Sequence, residues 1–526
     1  MSICQTCQTN FTITSNDQLF YDKVKAPLPV QCPQCRLQKR LAYRNERSLF
    51  SSICGLCHKN ILSLYNPADQ FTVYCNDCWW SDKWEPTNYG RAIDWSRSLI
   101  EQWNEVRRAV PRLALVSLNS ENSDYTNMSS DNKNCYLLFA AENNENCSYG
   151  KLVQKCKDCF DCSFIYDSEL CYGCVNIRNC YHSIYLQDCQ DSRDCGFSIG
   201  LRGCSNVWFS ANLHNKEYYI ANQSVPPAEF QQRVQVLTAD AVALKKSYQT
   251  WRELNKDRIV KYAHNIKSDG CTGDSLTDCK RIYDSFDVTG GQDCAYMTDA
   301  LESRDCYDAS FIYYKPELVY DSLSMLQCYN VQYSVFTFYT SDSQYCDQVH
   351  NSKNIMLSSC LRNKQFVILN KQYSQAEYEV LLPKVIAAMT TVSDYGQLPP
   401  AEHSLFAYND TVAQEYFPLT KQQALAAGYR WNNAADERIH KPFKLTQSES
   451  VFYQTMNLPE PTEHPELRHR ARMALRNPRQ LWQRPCQCTQ TNHNHATTCP
   501  EVFLTSYSTD RPEQVYCERC YQQTVI

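Results

Sequence analysis

The central part of the chain alternates short hydrophobic runs with polar turn residues. Between residues 119 and 392, runs such as SIYL, GFSIG and NVWFS are bounded by Asn, Asp or Ser, a pattern typical of short β-strands. In the first half of this region every interval between successive cysteines is a multiple of three, and Asn or Asp often precedes the cysteine. The pattern predicts a mainly β fold with a parallel β-solenoid core. β-Sandwich-like repeats are the alternative.

This region is duplicated. QDCAYM and DCYDASF match ENCSYG and DCFDCSF at an offset of 147 residues, and the match continues at an offset of 148. Some cysteines are not kept, since Ile282 corresponds to Cys135 and Val319 to Cys171. Ile and Val cannot replace a thiolate ligand, so the solenoid cysteines are interpreted as small buried residues. The tyrosines are expected on the outside, with their hydroxyls in water.

Each solenoid unit is followed by a helical pattern. VPPAEFQQRVQVL begins with prolines, which suit the first turn of a helix, and this helix is expected to continue to about residue 262. YSQAEYEVLLPKVI is its counterpart. The predicted solenoid units with their helices are 131–262 and 263–392. The segment 86–130 is predicted to be a helical linker, and 393–430 a second linker.

Paired CxxC motifs near the N-terminus predict two metal sites. Each CxxC forms a tight turn that aims two thiolates at one point, and two turns complete a tetrahedral four-sulfur zinc site. Such a site has no open coordination position, so a structural role is predicted. The predicted ligands are Cys4, Cys7, Cys32 and Cys35 in a zinc ribbon over 1–50, and Cys54, Cys57, Cys75 and Cys78 in a zinc ribbon over 51–85.

The C-terminal segment is a diverged copy of both ribbons. RNPRQL at 476–481 matches RNERSL at 44–49, and the alignment predicts a third zinc ribbon over 483–526. A ten-residue insertion could supply a substitute for Cys486, the ligands of another ion, or polar loop residues; the last interpretation is preferred. The predicted ligands of the third site are Cys486, Cys499, Cys517 and Cys520, and the insertion carries Cys488, His493 and His495.

The copy of the first ribbon, over 431–482, is predicted to be metal-free. His464 and Leu467 stand where Cys32 and Cys35 were, and Asp436 and Ile439 replace the other two cysteines. Both copies nevertheless keep a row of arginines at helical spacing. These are Arg36, Arg40, Arg44 and Arg47, and Arg468, Arg472, Arg476 and Arg479. Guanidinium forks suit phosphate recognition. The alternatives are a solvated helix face, or salt bridges that hold the ribbon in place.

Composition narrows the classes of function. The chain has 526 residues, 31 cysteines and a net charge of −5, so any attraction to nucleic acid must be local. It has no run of eighteen apolar residues, and MSICQTCQTN is not a secretory signal, so a cytoplasmic location with reduced cysteines and no membrane partner is expected. There is no nucleophile elbow, phosphate-binding glycine loop or HExxH motif.

The N-terminal 50 residues resemble the family called probable zinc-ribbon domain. The shared features are a CxxC at Cys4 and Cys7, the pair Phe20 and Tyr21, and CPQCR followed by basic residues. Nearly the whole chain resembles a group of multi-zinc-ribbon, Cys- and Tyr-rich proteins of candidate-phylum bacteria. Shared stretches are VYCNDCWWSDKW, RNKQFVILNKQYS, YNDTVAQEYFPLT and VYCERCYQ. The resemblance implies this architecture and a cytoplasmic location, but no activity.

Three functions are consistent with these patterns. The preferred one is a non-enzymatic binding protein, stabilised by three structural Zn²⁺ ions, that contacts nucleic acid or a ribonucleoprotein through the arginine rows. The second is a protein–protein interaction scaffold. The third is a polysaccharide-acting β-solenoid enzyme, which needs carboxylates clustered on one face. The acids available for it precede cysteines in turn-like settings: Asp158, Asp161, Asp188 and Asp194.

Overall fold

The computed structural model describes residues 1–435, 442–490, 493, 495 and 497–525. It is mainly β and contains parallel β-solenoids, which confirms the predicted fold class. The chain forms two units of packed segments. The first unit comprises Met1–Ala114, Ala263–Asn432 and Arg479–Leu481, and the second Leu115–Tyr262, Asn433–Pro478 and Trp482–Ile526. Each unit therefore combines one solenoid with the ribbon modules from one end of the chain.

The described residues form twelve α-helices, labelled here in chain order. They are α1 (Ser15–Val24), α2 (Pro33–Leu41), α3 (Asn76–Trp80), α4 (Leu99–Ala109), α5 (Pro227–Leu237), α6 (Ala241–Leu254), α7 (Gln375–Thr391), α8 (Ala413–Tyr416), α9 (Lys421–Ala426), α10 (Gln447–Thr455), α11 (Pro465–Met473) and α12 (Glu518–Val525). Short 3₁₀ helices lie at Pro67–Asp69, Pro86–Tyr89, Ala401–His403, Tyr408–Asp410 and Asn433–Ala435.

The strands fall into ribbon hairpins, short pairs and the two solenoids. Antiparallel hairpins join Ser2–Ile3 to Asn10–Phe11, Phe50–Ile53 to Asn60–Ser63, and Trp482–Pro485 to Val502–Thr505. Val73–Tyr74 pairs with Arg112–Leu113, and Ile259–Lys261 with Gln514–Tyr516. The second unit's solenoid contains Ser117–Leu118, Ser129–Ser130, Lys151–Gln154, Ser163–Tyr166, Glu169–Tyr172, Val175–Arg178, Tyr181–Gln187, Gly196–Ile199, Ser205–Trp208, Glu217–Ile220 and Gln223–Ser224. The first unit's contains Gly273–Thr277, Lys280–Tyr283, Ser285–Thr289, Gln292–Ala295, Thr298–Leu301, Tyr307–Tyr313, Tyr320–Leu326, Tyr329–Gln332, Val335–Phe338, Ser341–His350, Lys353–Ser359, Gln365–Ile368 and Lys371–Gln372.

The multiple-of-three spacing of the cysteines follows from the geometry of the solenoid coil. Parallel register pairs such as Ser163 with Val175 show that one coil takes twelve residues. Within a coil every third residue has positive φ, as at Asn143 (57°) and Asn146 (54°), and the residue that follows it is buried inside. Asn and Asp tolerate this left-handed conformation better than other non-glycine residues, which explains why they so often precede an inward-facing cysteine.

The change of offset between the two solenoids has a local cause. In the first unit two consecutive residues, Tyr314 and Lys315, both have positive φ, and the coil there pairs Tyr307 with Tyr320, thirteen residues on. One extra residue is therefore accommodated in that coil, and the twelve-residue period resumes beyond it. The insertion lies at a corner of the coil, where it does not disturb the inward-facing positions.

Two expectations about element boundaries and one about the tyrosines are wrong. The second unit's solenoid begins at Ser117, inside the segment 86–130 predicted as a helical linker, because Ser117–Leu118 already pairs with the next coil. The helix expected to reach residue 262 breaks between α5 and α6, where Asp240 caps α6 by accepting hydrogen bonds from Val242 N and Ala243 N. Tyrosines expected in water, such as Tyr149 and Tyr172, are instead buried under helices of the ribbon copy.

Candidate metal sites and the arginine rows

The four cysteines of the first ribbon come together as the sequence predicts. The Sγ atoms of Cys4, Cys7, Cys32 and Cys35 lie within 4.8 Å of one another. The Sγ atoms of Cys7 and Cys32 are 3.7 Å apart, and the backbone N–H of Cys32 donates to Cys4 Sγ at 3.2 Å. The hydrogen bond between Cys32 and Cys35 lowers the pKa of Cys32 to about 4 and raises the pKa of Cys35 well above its usual value. The four sulfurs are close enough together to hold one metal ion.

The second ribbon repeats this arrangement with Cys54, Cys57, Cys75 and Cys78. Cys57 Sγ and Cys75 Sγ are 3.8 Å apart, and the backbone N–H of Cys75 donates to Cys54 Sγ at 3.3 Å. Burial raises the pKa of Cys54, but hydrogen bonds from the backbone N–H groups of Cys57 and Cys75 have the larger combined effect and lower the pKa to about 6. Sulfurs about 2.3 Å from one tetrahedral zinc ion would lie about 3.8 Å apart, so both sets have suitable dimensions.

The third ribbon also assembles its predicted ligands. Cys486, Cys499, Cys517 and Cys520 form a buried group within 4.8 Å, with Cys499 Sγ and Cys517 Sγ 3.9 Å apart. The backbone N–H of Cys517 donates to Cys486 Sγ at 3.2 Å, as the corresponding N–H does in the other ribbons. Each of the three ribbons thus holds a group of four cysteines that could bind a metal ion, with all four donors supplied by the protein.

The insertion in the third ribbon forms a fourth group. Cys488, His493 and His495 lie within 4.8 Å of one another and of Cys520, which also belongs to the preceding group. The preferred interpretation of these residues as polar loop residues does not describe their placement, since Cys488 and His493 are buried. Cys520 of α12 lies beside these three residues, and no spacing motif in the sequence indicates that approach.

The degenerate copy of the first ribbon uses its replacement residues differently. His464 occupies the N-cap of α11, where its Nδ1 accepts a hydrogen bond from Glu466 N at 3.1 Å. Leu467 is partly exposed, and Asp436 and Ile439 lie outside the described residues. Within the described part of the chain, neither His464 nor Leu467 belongs to a group of candidate metal ligands.

The arginine row of the first ribbon is buried against the solenoid of the first unit. Arg36 Nε lies 2.9 Å from an oxygen of Asp308, and Arg40 Nη1 lies 3.0 Å from the same oxygen. Arg40 also reaches Asp321 at 3.3 Å. The side chains of Arg40 and Asp308 are fully buried, and Arg36 is 6% exposed. These guanidinium groups therefore hold α2 on the solenoid and face no open surface.

The second row makes the equivalent contacts in the second unit. Arg468 and Arg472 both pair with Asp161, which corresponds to Asp308 at the offset of 147 residues. Arg468 also lies 3.4 Å from Glu449, and Arg472 Nη2 donates to the backbone oxygen of Tyr149 at 2.8 Å. The ion pairs are therefore shared by both copies, although one copy has lost its CxxC motifs.

Aromatic contacts reproduce the same docking geometry. Phe20 of α1 stacks on Tyr307 with ring centroids 3.9 Å apart, and Phe452 of α10 stacks on the equivalent Phe160 at 4.2 Å. The adjacent Tyr21 and Tyr453 make edge contacts with the solenoid tyrosines Tyr320 and Tyr172, and these contacts explain why FY is kept in both copies. Each terminal module is thus fastened to its solenoid by one aromatic pair and one arginine pair around a single aspartate.

The remaining arginines of the rows are also engaged within their units. Arg44 pairs with Glu46 at 2.7 Å and also bonds to Ser324. Arg479 pairs with Asp299 at 2.6 Å, Arg476 Nε donates to Asn176 at 3.0 Å, and Arg47 is partly buried. The prediction that the rows present guanidinium groups to phosphates is therefore wrong for the buried members, because intramolecular carboxylates occupy them. The alternative of salt bridges that fix the ribbon agrees with the structure.

Another buried ion cluster was missed by the sequence analysis. Asp347 lies inside the first unit, with Arg107 Nε at 2.9 Å and Arg112 Nη2 at 2.7 Å. Burial raises the pKa of Asp347, but the two guanidinium groups have the larger combined effect, so this pKa lies below its usual value. The basic end of α4, which contains Arg107, was the available signal. Its acidic partner is more than two hundred residues away in sequence and has no local pattern.

The solenoid cysteines are core residues. In one inner column Ser168, Cys180, Ser192 and Cys204 follow one another at intervals of twelve, all buried. Ser168 Oγ donates to the backbone oxygen of Tyr166 at 2.8 Å, and Cys180 Sγ donates to the equivalent oxygen of Arg178 at 3.4 Å. Burial raises the pKa of Cys180 to about 12, so it stays a thiol. No solenoid cysteine belongs to a candidate metal group in the described residues.

Replacing Cys180 with Ser is therefore expected to change the free energy of unfolding by less than about 1 kcal/mol. The hydroxyl can make the hydrogen bonds that Ser168 and Ser192 already make in the neighbouring coils. Cys180→Leu is the matched control, and overpacking should cost about 1–3 kcal/mol. Urea denaturation measures both changes, and mass spectrometry measures metal content. A loss of bound metal in Cys180→Ser would contradict the core assignment.

Comparisons with known proteins do not assign a family. No protein-family model and no curated protein matches the chain. One similar solved structure is a protein from Desulfovibrio desulfuricans G20, provisionally described as an acetyltransferase. It is 7% identical, the match covers 50% of this chain and 71% of the other, and the TM-score is 0.11. A score this low supports no argument about fold or activity. Separately, no helix in the described residues is long and apolar enough to cross a membrane.

Proposed function

We propose that the protein is a non-enzymatic, zinc-stabilised scaffold that binds a protein partner through the open sides of its solenoids. The supporting observation is that the arginines around Asp308 and Asp161 are used internally, to fasten the ribbons to the solenoids. The module that resembled a phosphate-binding surface is therefore part of the framework. We further propose a cytoplasmic location and membership of the multi-zinc-ribbon group named above, with Zn²⁺ as the metal.

Zinc is the metal that the donor sets favour. Tetrahedral groups of four thiolates are typical of structural zinc, and they leave no position for a substrate or a reacting water. Backbone N–H groups that donate to Cys4, Cys54 and Cys486 Sγ would stabilise the thiolate form in all three ribbons. In this proposal the ions stabilise the cysteine-containing turns of the ribbons, and the solenoids provide the surface for binding.

The open side of the second unit's solenoid, defined here by the exposed column of side chains from Glu121 to Lys157, has mixed charge. Glu121, Lys133, Glu145 and Lys157 succeed one another on neighbouring coils, and all four are exposed. Alternating charges give no continuous basic stripe for a phosphate backbone. They suit a protein surface with a complementary alternation, where such charges set register and specificity. We therefore prefer a protein partner to nucleic acid.

Capture of the partner by the full chain from nuclease-treated lysate tests the proposal. The informative variant is Lys133→Glu with Lys157→Glu, which makes the open side uniformly acidic. The matched control is Lys245→Glu with Lys246→Glu on α6, where both lysines are exposed and the total charge changes equally. We expect a stoichiometric protein that the control retains and the informative variant loses. Salt-sensitive binding of RNA or DNA by the purified chain, with no such protein, would refute the proposal in favour of nucleic-acid binding.

A further inference from the structure

The two groups of donors in the third ribbon share one atom. Cys520 Sγ lies within 4.8 Å of the thiols of Cys486, Cys499 and Cys517, and also within 4.8 Å of the donors of Cys488, His493 and His495. Six side chains therefore surround Cys520 Sγ, which gives seven donors in all. Two four-coordinate ions need eight bonds to ligands, and seven donors provide them when one donor is shared. A thiolate can serve as that donor because its sulfur has several lone pairs.

The two histidines are oriented as metal ligands rather than as surface residues. His495 Nδ1 lies 3.0 Å from the backbone oxygen of Thr497, to which it can donate, so the lone pair is on Nε2. That Nε2 is 3.5 Å from Cys520 Sγ, close to the separation of about 3.6 Å expected for nitrogen and sulfur ligands of one tetrahedral zinc ion. A backbone carbonyl that fixes the tautomer is typical of zinc-bound histidine.

The buried His493 completes the set. Its Nδ1 is 3.1 Å from Cys488 Sγ, while its Nε2 has no hydrogen-bond partner among the described residues. A buried imidazole whose close polar neighbour is a thiol is unusual for a structural histidine. The backbone also links the two groups, because Cys499 N donates to the backbone oxygen of Cys488 at 3.1 Å. The second ribbon lacks this insertion and offers a single group of four cysteines.

We propose that the third ribbon binds two Zn²⁺ ions bridged by the Cys520 thiolate. One ion is held by Cys486, Cys499, Cys517 and Cys520, and the other by Cys488, His493, His495 and Cys520. Bridging also lowers the charge of the buried site. Five thiolates and two neutral imidazoles around two Zn²⁺ ions carry a net charge of −1, whereas a single zinc–Cys4 centre carries −2.

Metal stoichiometry of the full-length protein tests the fourth ion. With all three ribbons filled, elemental analysis after loading with Zn²⁺ should give four ions per chain. The triple variant Cys488→Ser, His493→Asn, His495→Asn should give three, because it keeps all three groups of four cysteines. An unchanged far-ultraviolet spectrum shows that the variant folds. Three ions in the natural protein, or four in the variant, would overturn the proposal.

Cobalt substitution tests the shared thiolate separately. Two Co²⁺ ions joined by one sulfur couple magnetically, so the paramagnetic resonance signal per cobalt should fall when the fourth ion binds. The triple variant should show no such fall at three ions per chain. Four cobalt ions with a full, additive signal would overturn the bridge. Neither measurement depends on a binding partner, so these outcomes are independent of the scaffold proposal.

Discussion

Asp308→Ala is expected to destabilise the first unit by about 3–5 kcal/mol. Asp308 is fully buried and pairs with Arg36 and Arg40, so its removal leaves two guanidinium groups without this carboxylate inside the protein. Burial by itself lowers the pKa of Arg36, but Asp308 raises it above the usual arginine value, and the side chain stays charged. Guanidinium chloride denaturation of the full chain, with hydrogen exchange to identify the unit that opens, measures the effect.

The duplication provides a replicate and the helix α11 provides a control. Asp161→Ala should have the same effect in the second unit, because it removes the partner of Arg468 and Arg472. Glu466→Ala removes a carboxylate that lies 3.4 Å from the exposed Arg470, and should cost less than about 1 kcal/mol. If Asp308→Ala cost no more than Glu466→Ala, the buried ion pairs would not hold the ribbon.

The solenoid was predictable because its signal is local and repeated. Inward-facing residues recur every three positions, and cysteines such as Cys147, Cys156 and Cys159 mark these inward-facing positions in the sequence. The cause of the spacing was not predictable, because a left-handed residue at every corner is visible only in the backbone dihedral angles. The same applies to the tyrosines, whose burial depends on helices contributed by distant parts of the chain.

The arginine rows show where sequence reasoning reached its limit. The retention of the rows in a copy without metal ligands was visible in the sequence, but the role assigned to them was wrong, because the buried members pair with carboxylates of the protein. Their partners are 268 residues away from Arg40 and 307 residues away from Arg468, and no local pattern connects them. Asp161 was considered only as a possible catalytic carboxylate, whereas the structure shows that it is the anchor of the second row.

The metal groups divide in the same way. The four-cysteine groups of the first two ribbons follow from CxxC spacing, because each tight turn places two thiols together, and the third group follows from its alignment with the second ribbon. The approach of Cys488, His493 and His495 to Cys520 is a tertiary contact that no spacing rule describes. Short-range chemistry was therefore predictable, and chemistry assembled by tertiary packing was not.

Removing the metal is expected to unfold the three ribbons that have four-cysteine groups and to leave the degenerate copy intact. Structural zinc contributes about 10–16 kcal/mol to the folding of small zinc-binding peptides, far more than a two-stranded hairpin can supply. Amide hydrogen exchange before and after chelation should show loss of protection in the ribbon hairpins. The affected strands are Ser2–Ile3, Asn10–Phe11, Phe50–Ile53, Asn60–Ser63, Trp482–Pro485 and Val502–Thr505.

The degenerate copy is the internal control for this experiment. Its helices α10 and α11 are held on their solenoid by Phe452, Arg468 and Arg472, and His464 caps α11 with a hydrogen bond where the first ribbon has a metal ligand. Their protection should therefore survive chelation. In the first ribbon Cys32 is the N-cap of α2, so the first turn of α2 should lose protection while the turn that contains Arg40 keeps it. Unchanged protection of the hairpins after complete metal release would show that the ions are not structural.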